Sequence, residues 1–107
     1  MHHMDEVFKA LADAARRELL DSLHRENGQT LSQLCVDSNI SRQAISKHLA
    51  ILEEAKLIVT IWQGRQKLHY LNPAPLHEMQ EHWIAKYERN QMRAAYQLKK
   101  ALEDSSG

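Results

Sequence analysis

Apolar residues recur at helical spacing through the first half of this chain and again after Leu76, but between Leu57 and Leu71 the rhythm changes to alternation. "LIVTIW" is rich in β-branched residues, "QGRQ" supplies a turn with a glycine, and "KLHYL" alternates again. The stretch predicts one β-hairpin of two short strands with a basic tip. A single small hairpin among helices makes the chain mainly α, with no internal repeat or low-complexity segment.

Before the hairpin, four helices are marked by their ends as much as by their stripes. Val7, Phe8, Leu11 and Ala12 belong to a short first helix. Asp13 can cap a second, with Ala15, Leu19, Leu20 and Leu23 inward and Asn27-Gly28 as its stop. "TLSQ" is a capping box in which Thr30 and Gln33 satisfy each other's free amides. The third helix it starts turns Leu31, Leu34 and Cys35 inward and is expected to end near Ser38-Asn39. Ser41 can cap a fourth, whose inner side is Ile45, Leu49 and Leu52. After the hairpin, Asn72, Pro73 and Pro75 close the segment. From Leu76 to about Glu103 there is no glycine or proline, which predicts one long fifth helix.

The 107 residues suit a single domain, 1–107, with one modest core. Fourteen basic residues balance fourteen acidic ones, so only the placement of charge can point to a charged partner. Cys35 is the lone cysteine, so no disulfide can form within the chain and a reducing, cytoplasmic setting is expected. Neither a membrane-length apolar run nor a signal-peptide pattern is present.

The fourth helix carries the functional signal. Its outer residues, Gln43, Ser46, Lys47 and Ala50, are small, polar or basic, and no acid occurs until Glu53. Region 41–72 holds five cations (Arg42, Lys47, Lys56, Arg65, Lys67) against two acids (Glu53, Glu54). An ordinary solvated helix would also be polar outside. The order of elements argues for more: a capped helix, a short turn, a second capped helix and a basic hairpin make a winged helix-turn-helix. A helix that enters the DNA major groove needs short or donor-bearing side chains and no acids against base edges and phosphates. Gln43 can pair with adenine, Ser46 can donate or accept, and Lys47 reaches guanine or phosphate. Arg42, on the flank, suits a phosphate.

Four segments, "FKALADAARRELLDSL" (8–23), "LSQLC" (31–35), "SRQAISKHLAILEEAKLI" (41–58) and "WQGRQKLHYLN" (62–72), resemble the arsenic-repressor-like (ArsR/SmtB) winged-helix regulators. The resemblance covers roughly two-thirds of the chain, in order. It implies a homodimeric, operator-binding repressor, with DNA contacts at Gln43, Ser46, Lys47 and His48 and, in the wing, at Arg65 and Lys67. "ADAAR" departs from the family's usual proline and threonine before the arginine, but Ala14 and Ala15 are good helix formers and the change should cost little. "HWIAKYERNQMRAAYQLKKALE" is similar, more loosely, to metal-independent relatives often encoded beside a small lipid-pocket protein.

Leu76, Met79, Trp83, Tyr87, Ala94, Leu98 and Ala101 form an apolar stripe along the last helix, longer than a small winged-helix core can cover. The excess predicts a partner helix, most simply a second copy of the chain across a two-fold axis, with the first helix (Phe8, Leu11) adding to the dimer interface. Two recognition helices one DNA turn apart then read an inverted repeat in double-stranded DNA.

Relatives that sense metals use cysteine pairs on the third helix or His and acidic ligands on the last. Here Asp37 stands where the paired-thiolate version has its second cysteine, and one thiol does not make a tetrahedral thiolate site. His77 with Glu81 and Glu78 with His82 have chelating i,i+4 spacing, yet fit a solvated helix face as well. No cofactor or metal is expected. Nor is catalysis, since no phosphate loop or nucleophile motif occurs. The competing expectation is a winged helix that binds another protein instead of DNA, which a salt-sensitive shift of promoter DNA would exclude.

Overall fold

The computed structural model describes residues 2–106 and divides into two compact units, one ending at Pro75 and the other starting at Leu76. The first runs α1 (His2–Leu11), α2 (Ala14–Arg25), α3 (Leu31–Cys35), α4 (Arg42–Glu54), β1 (Ile58–Gln63) and β2 (Gln66–Leu71), followed by the start of α5 (Ala74–Met79). Val7 and Ala10 of α1, Leu19, Leu20 and Leu23 of α2, Leu34 of α3, and Ile45, Leu49 and Leu52 of α4 are buried together with Leu57 and Ile58. The inward leucine and isoleucine stripes expected of α2 and α4 are in this core, each fully buried leucine worth about 1.5–3 kcal/mol. α1 departs from its expected stripe: Val7 and Ala10 are buried, Leu11 is half-buried, and Phe8 and Ala12 are exposed, while Leu31 and Cys35 of α3 are half-buried.

Side chains close most of the helix ends. Asp13 Oδ1 accepts from the amides of Ala15 (2.8 Å) and Arg16 (3.2 Å), which starts α2. Arginines of α2 then reach back to the open carbonyls at the end of α1. Arg16 Nε donates to Ala10 O (2.8 Å), Arg16 Nη2 to Lys9 O (3.0 Å) and Arg17 Nη1 to Leu11 O (2.7 Å). Both bonds of the Thr30–Gln33 capping box are present, and Ser41 Oγ accepts from the Ala44 amide at 3.1 Å.

α3 ends at Cys35, earlier than the Ser38-Asn39 stop that its pattern suggested. The amides of Val36 and Ser38 bond only three residues back, to Gln33 and Cys35, and the Ile40 amide donates to Ser38 Oγ (3.2 Å). Local bonds to short polar side chains offer the backbone an alternative to another helical turn.

α4 ends in a Schellman motif. The Leu57 amide bonds Leu52 O (2.9 Å), the Lys56 amide bonds Glu53 O (3.0 Å), and the buried Leu57 and Leu52 supply its apolar contact. Lys56 fills the left-handed position at φ 63, where glycine is usual.

β1 and β2 pair antiparallel from Ile58↔Leu71 to Gln63↔Gln66, joined by Gly64-Arg65. Gly64, at φ 63, is the first of the two turn residues, as a type II′ hairpin turn requires. The second edge of β2 is held by Gln29. The backbones of Gln29 and His69 bond in both directions, and buried His69 Nδ1 lies 2.9 Å from Gln29 O, so it carries the hydrogen. Gly28, at φ 80, lies so close to the Tyr70 ring that a Cβ there would sit 3.0 Å from it.

The second unit is helical throughout but not uniform. α5 passes into one π turn (Gln80–Ile84), in which the Ala85 amide bonds Gln80 O, and then into α6 (Ala85–Ser106). The long helix of the sequence therefore starts two residues earlier, at Ala74, and contains one wider turn. Leu76, Met79 and Ala85 are half-buried, while Trp83, Ile84, Tyr87, Tyr96, Leu98 and Leu102 are exposed. Trp83 and Tyr87 have ring centroids 6.0 Å apart. Among the described residues no helix is long and apolar enough to cross a membrane.

Candidate DNA-binding site

α4 divides as its sequence requires. Ile45, Leu49 and Leu52 are buried, and Gln43, Ser46, Lys47 and Ala50 are exposed on the opposite side. Ser41 fixes where the helix begins, so the exposed face starts within its first turn. Burial of the inner stripe sets the rotation of the helix, and with it which polar side chains face outward.

The flanks are tied to the domain. Arg42 is exposed and donates through Nη1 to Ser32 Oγ (3.1 Å), linking α4 to α3 and leaving other N–H groups of the guanidinium for a phosphate. His48 does not share the open face of Ser46 and Lys47. It is half-buried, with Nδ1 3.2 Å from Arg16 Nη1. Because guanidinium only donates, His48 Nδ1 must accept, and the ring hydrogen is on Nε2. Arg16 therefore holds the end of α1 and the flank of α4 with one side chain.

In the wing, Arg65 stands exposed in the hairpin turn. Lys67 is engaged, its Nζ 3.7 Å from Glu53 Oε2, while Glu53 Oε1 accepts from Thr60 Oγ1 at 2.9 Å. One carboxylate at the end of α4 thus reaches both strands of the hairpin. The Lys67–Glu53 pair is about 40% exposed on each side, so water and salt screen it and it contributes at most about 1 kcal/mol. Lys67 is the cross-strand neighbour of the exposed Trp62.

Sequence reasoning named the cations but missed Arg16 and Glu53. Their partners lie 32 residues away for Arg16, and 14 and seven away for Glu53, beyond any local motif. Asp13, which caps α2, has its carboxyl held below the ordinary value. The Arg16 amide bond is the largest cause, and desolvation works against it.

The residues weighed as metal ligands are not gathered. Cys35 is half-buried, His77, Glu78, Glu81 and His82 are exposed, and the π turn takes Glu81 and His82 off the α-helical spacing that chelation would use. Among the described residues no group of three or more His, Cys, Asp or Glu could hold a metal ion.

Residues 11–61, from the end of α1 to the middle of β1, match a family model described as a helix-turn-helix domain. The chain is 40% identical over 86 residues to an uncharacterized HTH-type transcriptional regulator, YuzN, of Bacillus subtilis (strain 168), covering 75% of this chain and 94% of YuzN. It is 36% identical over 75 residues to the transcriptional repressor SdpR of the same organism, covering 70% and 82%. Among solved structures, an ArsR-like transcriptional regulator from Rhodococcus sp. RHA1 superposes with a TM-score of 0.80 at 29% identity, over 96% of this chain and 93% of that one.

Proposed function

This chain belongs to the ArsR family of winged helix-turn-helix transcriptional regulators, and from that premise we propose that it works as a homodimeric repressor bound to an operator inverted repeat. It is a DNA-binding regulator and not an enzyme. The observation that carries the finer reading is the exposed face of α4, free of acids from Arg42 to Leu52. Gln43, Ser46 and Lys47 meet base edges in the major groove, Arg42 and His48 meet phosphates on either flank, and Arg65 and Lys67 meet the backbone beyond.

The dimer is supported by α6. At 100° per residue, Tyr87, Ala94, Leu98 and Ala101 fall on one face, and the larger of them are exposed. An apolar face of this length is covered most simply by a second copy, with α1 adding to the interface, which makes 1–107 one functional domain. The repressor activity named for SdpR is extended to this chain on the same basis. The cytoplasm, where its DNA lies, is the location we assign.

Fluorescence anisotropy with DNA from upstream of its own gene, in chelator, tests the reading. Salt-sensitive, sequence-selective binding without metal is expected, and binding no tighter than to random DNA would overturn it. Sedimentation tests the dimer, since Leu98→Lys should dissociate what the wild type assembles at micromolar concentration.

A further inference from the structure

A cavity of about 560 Å³ lies within the first unit, walled by α2, α3 and the turn that leads into α4. That volume is within the range of small-molecule sites. Its apolar lining includes Leu19, Leu34 and Ile45, one from each helix, all buried members of the core. Its charged lining is one-sided. Glu18, Glu26 and Asp37 supply three carboxylates, against Arg25 as the only cation. Among the described residues none of these three carboxylates takes part in an ion pair.

Gln29 gives the cavity a fixed polar point. It is only 6% exposed, and its Nε2 is fully used, donating to Ser22 O (3.1 Å), Ser22 Oγ (3.1 Å) and Glu26 O (2.7 Å). Its Oε1 accepts no hydrogen bond among the described residues. Among the described residues no fully buried side-chain oxygen is left without a partner, so that acceptor keeps accessible surface, and Gln29 is one of the residues that line the cavity. The Nε2 bonds prevent the amide from flipping, and the lining therefore presents an acceptor to whatever enters.

We propose that this cavity binds a small organic cation, an ammonium group on an apolar body. The N–H donors suit Gln29 Oε1, the positive charge suits the three carboxylates, and the hydrocarbon suits Leu19 and Leu34 with the exposed Val36 and Ile40. A carboxylate ligand of the same shape would meet three like charges and no free donor on Gln29. The bound cation touches both helices of the helix-turn-helix and the turn between them. This inference stands apart from the assignment of operator contacts, because it concerns the opposite, buried side of α4.

The experiment uses the ¹⁵N-labelled full chain titrated with hexylammonium, and with hexanoate and hexanol as probes of equal length. Hexylammonium is expected to shift amides of α2, α3 and residues 36–40 with a dissociation constant of about 1 mM or tighter. Hexanoate should bind at least tenfold more weakly, and hexanol in between. Glu18→Gln and Asp37→Asn, both on exposed residues that the fold does not need, should each weaken hexylammonium severalfold and leave hexanol unchanged. Equal affinity for the three probes, shifts clustered elsewhere, or no response to either variant would overturn the proposal.

Discussion

Arg16 Nη1 lies 3.2 Å from His48 Nδ1, and a guanidinium has no lone pair to offer, so His48 must be the acceptor. Buried His69 is its opposite, with Nδ1 facing Gln29 O and carrying the hydrogen. Two histidines in one small unit are therefore expected in different ring forms, which long-range ¹H–¹⁵N spectra of the imidazoles distinguish. Arg16→Ala should release the His48 ring and open the Lys9 and Ala10 carbonyls, destabilising the fold by about 1–3 kcal/mol in urea titrations.

Ser46→Glu places a carboxylate at the centre of the exposed face of α4 without touching the core. Specific operator binding should fall by at least about 100-fold, the scale of losing a good base contact and adding repulsion. The circular dichroism spectrum and melting temperature should stay at wild-type values. Wild-type operator affinity in this variant would mean that another surface reads the DNA.

Glu53→Gln keeps an acceptor for Thr60 but removes the charge that holds Lys67. The freed ammonium should strengthen binding to non-specific DNA and steepen the slope of log K against log salt by less than one unit, since the wild-type lysine already supplies part of that contact. Lys67→Ala should flatten that slope by about the same amount. The pair of opposite changes, measured by anisotropy at several salt concentrations, checks that the wing contacts phosphate.

Lys56→Gly should stabilise the protein by about 0.5–1 kcal/mol, since Lys56 sits at φ 63, where a Cβ is strained. The gain is partly offset by the greater freedom of glycine in the unfolded chain. A shift of the denaturation midpoint to lower urea would show that the Lys56 side chain makes a contact worth more than the strain.

Asp13 bears on acid stability. Its carboxyl is held below the ordinary value, first by the Arg16 amide bond and further by the Ala15 amide and the Arg16 charge. A depressed carboxyl contributes stability that is complete above its unfolded value of about 3.9 and is lost as pH falls through the folded value. Asp13→Asn keeps a capping oxygen but cannot titrate. The gap in melting temperature between wild type and this variant should therefore narrow between about pH 5 and pH 3.

What the sequence made legible was local. Asp13, Thr30 with Gln33, and Ser41 cap helices within three residues of themselves, so their chemistry is visible in the string of letters. The hairpin was legible because alternation and a turn glycine have no helical reading. The exposed face of α4 followed from the buried stripe opposite. Arg16–His48 and Lys67–Glu53 were not legible, because chain separation hides them until the core brings α2 to α4 and α4 to the wing. The early end of α3 was also hidden, since residues 36–40 contain nothing that forbids a helix and the competing bond to Ser38 is a matter of geometry.

The π turn was invisible for another reason, because Trp83 and Ile84 are both apolar and a spacing of four from Met79 reads as readily as the five that a wide turn takes. It also gives length a role that chemistry usually has. In this turn the Ala85 amide bonds Gln80 O five residues back, where an α-helix bonds four back. Dropping one residue from Gln80–Ile84 would therefore restore α-helical winding and leave Tyr87, Leu98 and Leu102 facing much the same way relative to Leu76 and Met79. The same deletion within α6 would turn everything beyond it by about 100°. The turn works like slack in a chain: one residue of drift in length is absorbed there, and the face that the C-terminal helix presents stays where it was.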